Sequence, residues 1–175
     1  MCRPMLAVVP AGRTGVRAAA GIDAILCPMR IVPGWHPIVV HFAVALSVTG
    51  AFVLLAARYA RRPRLIQSAA VAGTFNLGLS AVFSLLAILS GIAAVWDLHL
   101  SAAPRAAVSM HVIWAFFTTL ALLLLSVWRV FGASPEEAPS NLFISIMLAT
   151  IAAVTVTAYL GGENVYRYGI GVLGH

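Results

Sequence analysis

Three of the five histidines in this 175-residue chain, His36, His41 and His111, stand at the starts of two long apolar runs. An imidazole in hydrocarbon is costly unless it is hydrogen-bonded or coordinated, so histidines placed there need a partner. Two imidazoles on separate helices at matched depth are what haem iron requires for axial ligation from both faces, and bundle interiors hold such cofactors. His41 and His111 meet that description. His41 lies about one turn inside the first run, between Ile38 and Phe42, and His111 enters the third run at a similar depth. Ala45 and Ala115 each follow one turn further in, on the same helical stripe, and are small enough to let a flat macrocycle pass. His36 precedes Pro37; a residue before proline is pushed out of helical dihedrals, and proline suits the first helical position. His36 is therefore expected to cap the helix at the water boundary.

Other chemistry is compatible with the same residues. A mononuclear zinc or copper site would draw nitrogens from His36, His41, His99 and His111, with Asp97 orienting one ring from behind. The plainer alternative has no cofactor, with His41 and His111 bonded to each other, to serines, to backbone carbonyls or to Asp97. Asp97 follows Trp96 at the end of the second run, where it is either a solvated interfacial charge or a carboxylate that fixes an imidazole tautomer or takes a proton in quinol oxidation. His175 is terminal and expected to be exposed. Cys2 and Cys27 show neither a CxxC spacing nor nearby histidines, so they define no redox or zinc site. No GxSxG or HExxH motif aligns a nucleophile or a hydrolytic metal, and no independent enzymatic activity is expected.

The elements that must position these residues are membrane helices. With 62% hydrophobic and 9% charged residues and a mean hydropathy of +0.99, the chain lies far from soluble composition. Its apolar runs predict four spans, at Pro37 to Tyr59, Ala69 to Val95, Ala107 to Val130 and Leu142 to Leu160, each long enough for about 30 Å of hydrocarbon. Asn76, Ser80, Ser84 and Ser90 give the second span an inward face. Small residues one turn apart, as in Ser80 with Ser84, Ala87 with Gly91, and Ala149 with Ala153 and Thr157, predict close helix packing. The segment SPEEAPSN from Ser134 to Asn141 predicts a loop with Ser140 or Asn141 as the next N-cap. The fold class is thus all-α, a four-helix transmembrane bundle over residues 35–175. Residues 1–34 lack the layout of a secretory signal and are expected to be poorly structured or an over-extended reading frame, with translation from Met29.

All eleven basic residues are arginines and the net charge is +6. Arg58, Arg61, Arg62 and Arg64 crowd one short loop between apolar spans, which fits orientation by the positive-inside rule and not a nucleic-acid-binding face. With Arg129 on that side, the histidine end and the amino terminus are expected to face the periplasm of a bacterial inner membrane. Glu163 and Arg167 predict a salt bridge at headgroup level if the last helix continues, with partner docking as the alternative, and the tail GGENVYRYGIGV from Gly161 to Val172 predicts a lid over the histidines.

The motifs HPIVVHFAVAL from His36 to Leu46, GIAAVWD from Gly91 to Asp97, His111 and the closing GGENVYRYGIGV together resemble the bacterial four-helix membrane family catalogued as domain of unknown function 2231. The resemblance covers nearly everything from Trp35 onward. It departs from the family pattern at Ala43, where members carry proline, and at Tyr168, where members often carry histidine. Such domains often accompany periplasmic c-type cytochromes, which implies redox work at the outer face. The combined expectation is a membrane electron-transfer subunit that binds one b-type haem through His41 and His111 and works between quinol or a larger membrane complex and a periplasmic c-type cytochrome. A non-redox accessory or assembly subunit, or a His-lined zinc or copper protein, is the alternative. A transporter is disfavoured because no inverted repeat or broken-helix pair is evident.

Overall fold

In a chain this apolar, helix ends are set by the few residues that resist hydrocarbon or helical dihedrals. The computed structural model describes residues 34–96, 100–132 and 134–171. Four helices run α1 (Trp35–Tyr59), α2 (Pro63–Val95), α3 (Ala102–Val127, continued by a π-helical turn at Trp128–Gly132) and α4 (Asn141–Tyr166). No strand occurs among the described residues. Pro63 opens α2 immediately after the arginine-rich turn, where its missing N–H costs nothing. Ser140 caps α4 by accepting the Phe143 N–H at 3.2 Å, as one of the two expected caps. All four helices are long and apolar enough to cross a membrane. Each exceeds its expected span, most of all at α4, which continues through Gly161 and Gly162 to Tyr166.

The bundle is up-and-down, with α2 beside α1 and α3, and α4 beside α3 and α1. Its outer surface is as apolar as its inside: Phe52, Phe75, Leu89, Phe117 and Leu124 are mostly exposed, which in lipid is their favourable state. Burial of apolar surface cannot drive association there, so backbones must approach closely. A Cβ on Gly73 would lie 2.6 Å from Leu54 Cγ, and one on Gly50 would lie 3.3 Å from the Gly73 carbonyl oxygen. Glycine at both positions therefore sets the close approach of α1 to α2. Ser80 and Ser84 are buried and Asn76 and Ser90 half-buried, so the expected inward face of α2 is present. Of the third small-residue set, Ala153 and Thr157 are half-buried, but Ala149 faces outward because the buried stripe of α4 runs through Met147, Thr150 and Val154.

One arginine does not behave as an interfacial charge. Arg129 is only 2% exposed, its guanidinium donating to Thr74 Oγ1 at 3.2 Å and to the carbonyls of Pro135 and Glu137 at 3.0 Å each. It also lies 5.7 Å from the centre of the Phe143 ring. The π-helical turn that carries it leads into the loop whose carbonyls it binds. Arg129 thus ties the loop between α3 and α4 to α2, while Gln67 donates to Glu136 and Arg58 to Asn141, both at 2.9 Å, at the same end.

Arg129→Met is expected to lower stability in detergent by about 2–4 kcal/mol, because two carbonyls and a threonine hydroxyl lose their donor together. Arg129→Lys should recover only part of the loss, since an ammonium cannot match a planar fork reaching α2 and the loop at once. Thermal unfolding of the two variants beside the parent measures this.

Candidate functional site

The end of the bundle opposite the arginine-rich turn gathers the start of α1, the end of α2, the start of α3 and the end of α4. His36 sits in the first turn of α1, two turns before buried Ala43 on the inward stripe that continues through Ser47 and Leu54. Its Nδ1 donates to the Ala87 carbonyl of α2 at 2.9 Å and lies 3.2 Å from Ser90 Oγ. A carbonyl only accepts, so Nδ1 carries the proton. Ser90 gives its own hydroxyl hydrogen to Ala87 at 3.1 Å and turns a lone pair toward the ring. The imidazole lies over Gly91, where a Cβ would be 2.9 Å from His36 Cε1.

His111 repeats this arrangement on the other helix pair. Its Nδ1 donates to the Thr157 carbonyl of α4 at 3.1 Å, and a Cβ on Gly161 would lie 3.0 Å from His111 Cε1. Thr157 Oγ1 donates to Ala153 at 2.9 Å and so receives the Thr118 hydroxyl hydrogen, also at 2.9 Å, which locks the threonine behind the carbonyl. Both histidines are half-buried. In both, Nε2 has no hydrogen-bond partner among the described residues.

The expected pairing of His41 with His111 is not what these helices form. His41 is exposed on the outside of α1, its Nδ1 turned back to the Pro37 carbonyl of its own helix, and Ala45 is exposed on the same outer side. The reason is angular: α1 begins at Trp35, before Pro37, so His36 is helical and in line with Ala43, whereas His41 points about 140° away from it. The expectation that His36 caps the helix is corrected as well, since the helix starts at Trp35 with Gly34 as its N-cap. Ala115 is half-buried, one turn beyond His111. His99, Asp97 and His175 lie outside the described residues, as do residues 1–33 and the proposed start at Met29. Among the described residues no group of three or more histidine, cysteine, aspartate or glutamate side chains is assembled for a metal ion.

The segment expected to form a lid is largely helix. Gly161 to Tyr166 complete α4; beyond it Gly169, at φ 67°, turns the chain so that the Ile170 N–H reaches the Asn164 carbonyl at 3.0 Å, and Gly171 follows at φ 81°. Glu163 and Arg167 form the expected salt bridge at 2.7 Å, and the carboxylate raises the guanidinium above its ordinary range. Sequence reasoning missed Asn164. It is 6% exposed, nearly one turn beyond Gly161, and its buried Oδ1 has no partner among the described residues.

A family model described as "Predicted membrane protein (DUF2231)" matches residues 33–174, which include all four helices. The chain belongs to the DUF2231 family. His36, Gly91, His111 and Gly161 all fall inside the matched DUF2231 region. No curated protein and no solved structure matches the chain.

Nitrogen-15 NMR of histidine-labelled protein should show His36 and His111 as Nδ1–H tautomers. In Gly91→Ala and Gly161→Ala the new methyl displaces the adjacent ring and its resonance, while stability changes little. A helix-propensity gain of up to about 1 kcal/mol offsets a lost hydrogen bond of about the same size.

Proposed function

We propose that this DUF2231 protein is a membrane electron-transfer subunit that holds one b-type haem between His36 and His111. The observation that carries the reading is the matched preparation of the two rings. Each Nδ1–H is fixed by a backbone carbonyl of the neighbouring helix, and each Nε2 has no hydrogen-bond partner among the described residues. That is the arrangement of a ligating imidazole, whose other nitrogen is oriented and made more basic by an acceptor behind it. Gly91 and Gly161 support the reading because they leave room for the rings to lie flat on the helix backbones. When bound, haem iron with two imidazole ligands supplies one-electron chemistry without an open coordination position. The residues themselves orient the rings, hold the Nδ1 protons and keep the surroundings apolar.

The arginine-rich turn at Arg58 to Arg64 supports placing the histidine end at the periplasmic face of a bacterial inner membrane. There the subunit would work between quinol or a larger membrane complex and a periplasmic c-type cytochrome. Two imidazoles suit axial ligation better than a tetrahedral zinc site, which would need further ligands beside them. A non-redox accessory role has one observation in its favour: each histidine already has a hydrogen bond that staples two helices together.

A visible spectrum separates the two. Protein purified from haem-replete cells is expected to show a Soret band that shifts on reduction. His36→Ala and His111→Ala should lose the pigment, while His41→Ala and His99→Ala retain it. A colourless parent protein would sink the cytochrome reading in favour of the staple.

A further inference from the structure

The two helix pairs, α1 with α2 and α3 with α4, are built on one plan. When His36 is set against His111, the same register carries buried Ala43, Ser47 and Leu54 onto buried Thr118, Leu122 and Arg129. When Gly91 is set against Gly161, it carries buried Gly73, Leu77 and Ser84 onto buried Phe143, Met147 and Val154. Outward positions correspond too, since exposed His41 falls on Phe116, which is 57% exposed.

Contacts repeat along with burial. Leu54 packs against Gly73 in the first pair, and their counterparts Arg129 and Phe143 pack against each other in the second. Near the other end, each histidine Nδ1 bonds the carbonyl one turn before the glycine its ring covers, Ala87 before Gly91 and Thr157 before Gly161. Few matched positions keep the same residue type, so the repeat is carried by burial and contact and not by identity. Both pairs run in the same sense through an up-and-down bundle, so they are related by a two-fold axis parallel to the helices.

We infer that the chain is an internal two-fold repeat and that His36 and His111 form a single site astride its axis, one imidazole from each half. Its ligand is a metal centre that accepts two imidazole nitrogens from opposite sides. This rests on the proposed function for haem iron and extends to a two-coordinate copper(I) ion, which has the same requirement. A centre on the axis meets both Nε2 atoms in equivalent geometry, so the stoichiometry is one per chain and neither histidine dominates.

Two measurements test this. In a Cys2→Ser, Cys27→Ser background, His36→Cys with His111→Cys is treated with dibromobimane, which fluoresces only when both its arms have reacted with thiols. The pair is expected to be bridged within one chain, and the control pair His41→Cys with His111→Cys is not. Absence of a bridge in the first pair, or equal bridging in both, overturns the axial site whether or not haem binds. Separately, the otherwise native protein is loaded with haem or with copper(I) alone. One equivalent per chain is expected, with affinity falling by about tenfold or more, and by the same factor, in His36→Ala and His111→Ala. Two equivalents, or loss through one histidine only, overturns the shared site while leaving haem binding intact. Binding of copper(I) without a Soret band removes the haem reading and keeps the axial site. Binding of neither overturns both.

Discussion

A polar group carried into hydrocarbon has only the protein to bond with, and that constraint decides how this bundle is assembled. Most hydroxyls meet it locally, bonding a carbonyl one turn earlier, as Thr74 does to Ala70 and Thr150 to Ile146. Longer side chains that face inward can instead reach another helix. Arg129 and the two inward histidines do so, and their bonds fix which helix faces meet. The apolar side chains, indifferent to lipid or protein, fill what remains.

The bundle has two unlike ends as a result. At one, Arg129 gathers carbonyls and a ring, and Arg58 and Gln67 bond across the α3–α4 connection. At the other, the polar groups are imidazoles, hydroxyls and an amide, with the Glu163–Arg167 salt bridge at the end of α4. Between them the helices are held by glycines and serines that bring backbones together. Trp35 and Trp96 are exposed at the histidine end and Tyr59 at the arginine end, the placement expected where acyl chains give way to headgroups.

Much of this was readable beforehand. Hydropathy alone located the four helices, because nothing but length and apolarity is needed to span a bilayer, and SPEEAPSN marked the break before α4 with its serine cap. Sequence favours His41 over His36 as the inward ligand, because Pro37 reads as the first helical residue. One more turn of attention to Ala43, Ser47, Gly50 and Leu54 would have found it, since that small-residue stripe points back to His36. Ala45 was misplaced with His41 for the same reason. Arg129 counted as an orienting charge because sequence reports charge and not burial. The segment GGENVY suggests a lid by its glycines, whereas in α4 Gly161 serves as space for the His111 ring.

Asn164 carries an uncompensated debt of desolvation. Its amide oxygen has left water without gaining a donor among the described residues, and a buried acceptor left so costs about 1–3 kcal/mol. The matching position in the first helix pair is Ala94, which is exposed and has no such atom. The two halves therefore differ in polarity beside His111 even though their helices follow one plan, and any proton-bearing group that reaches this oxygen relaxes the chain into a lower-energy state on one side only.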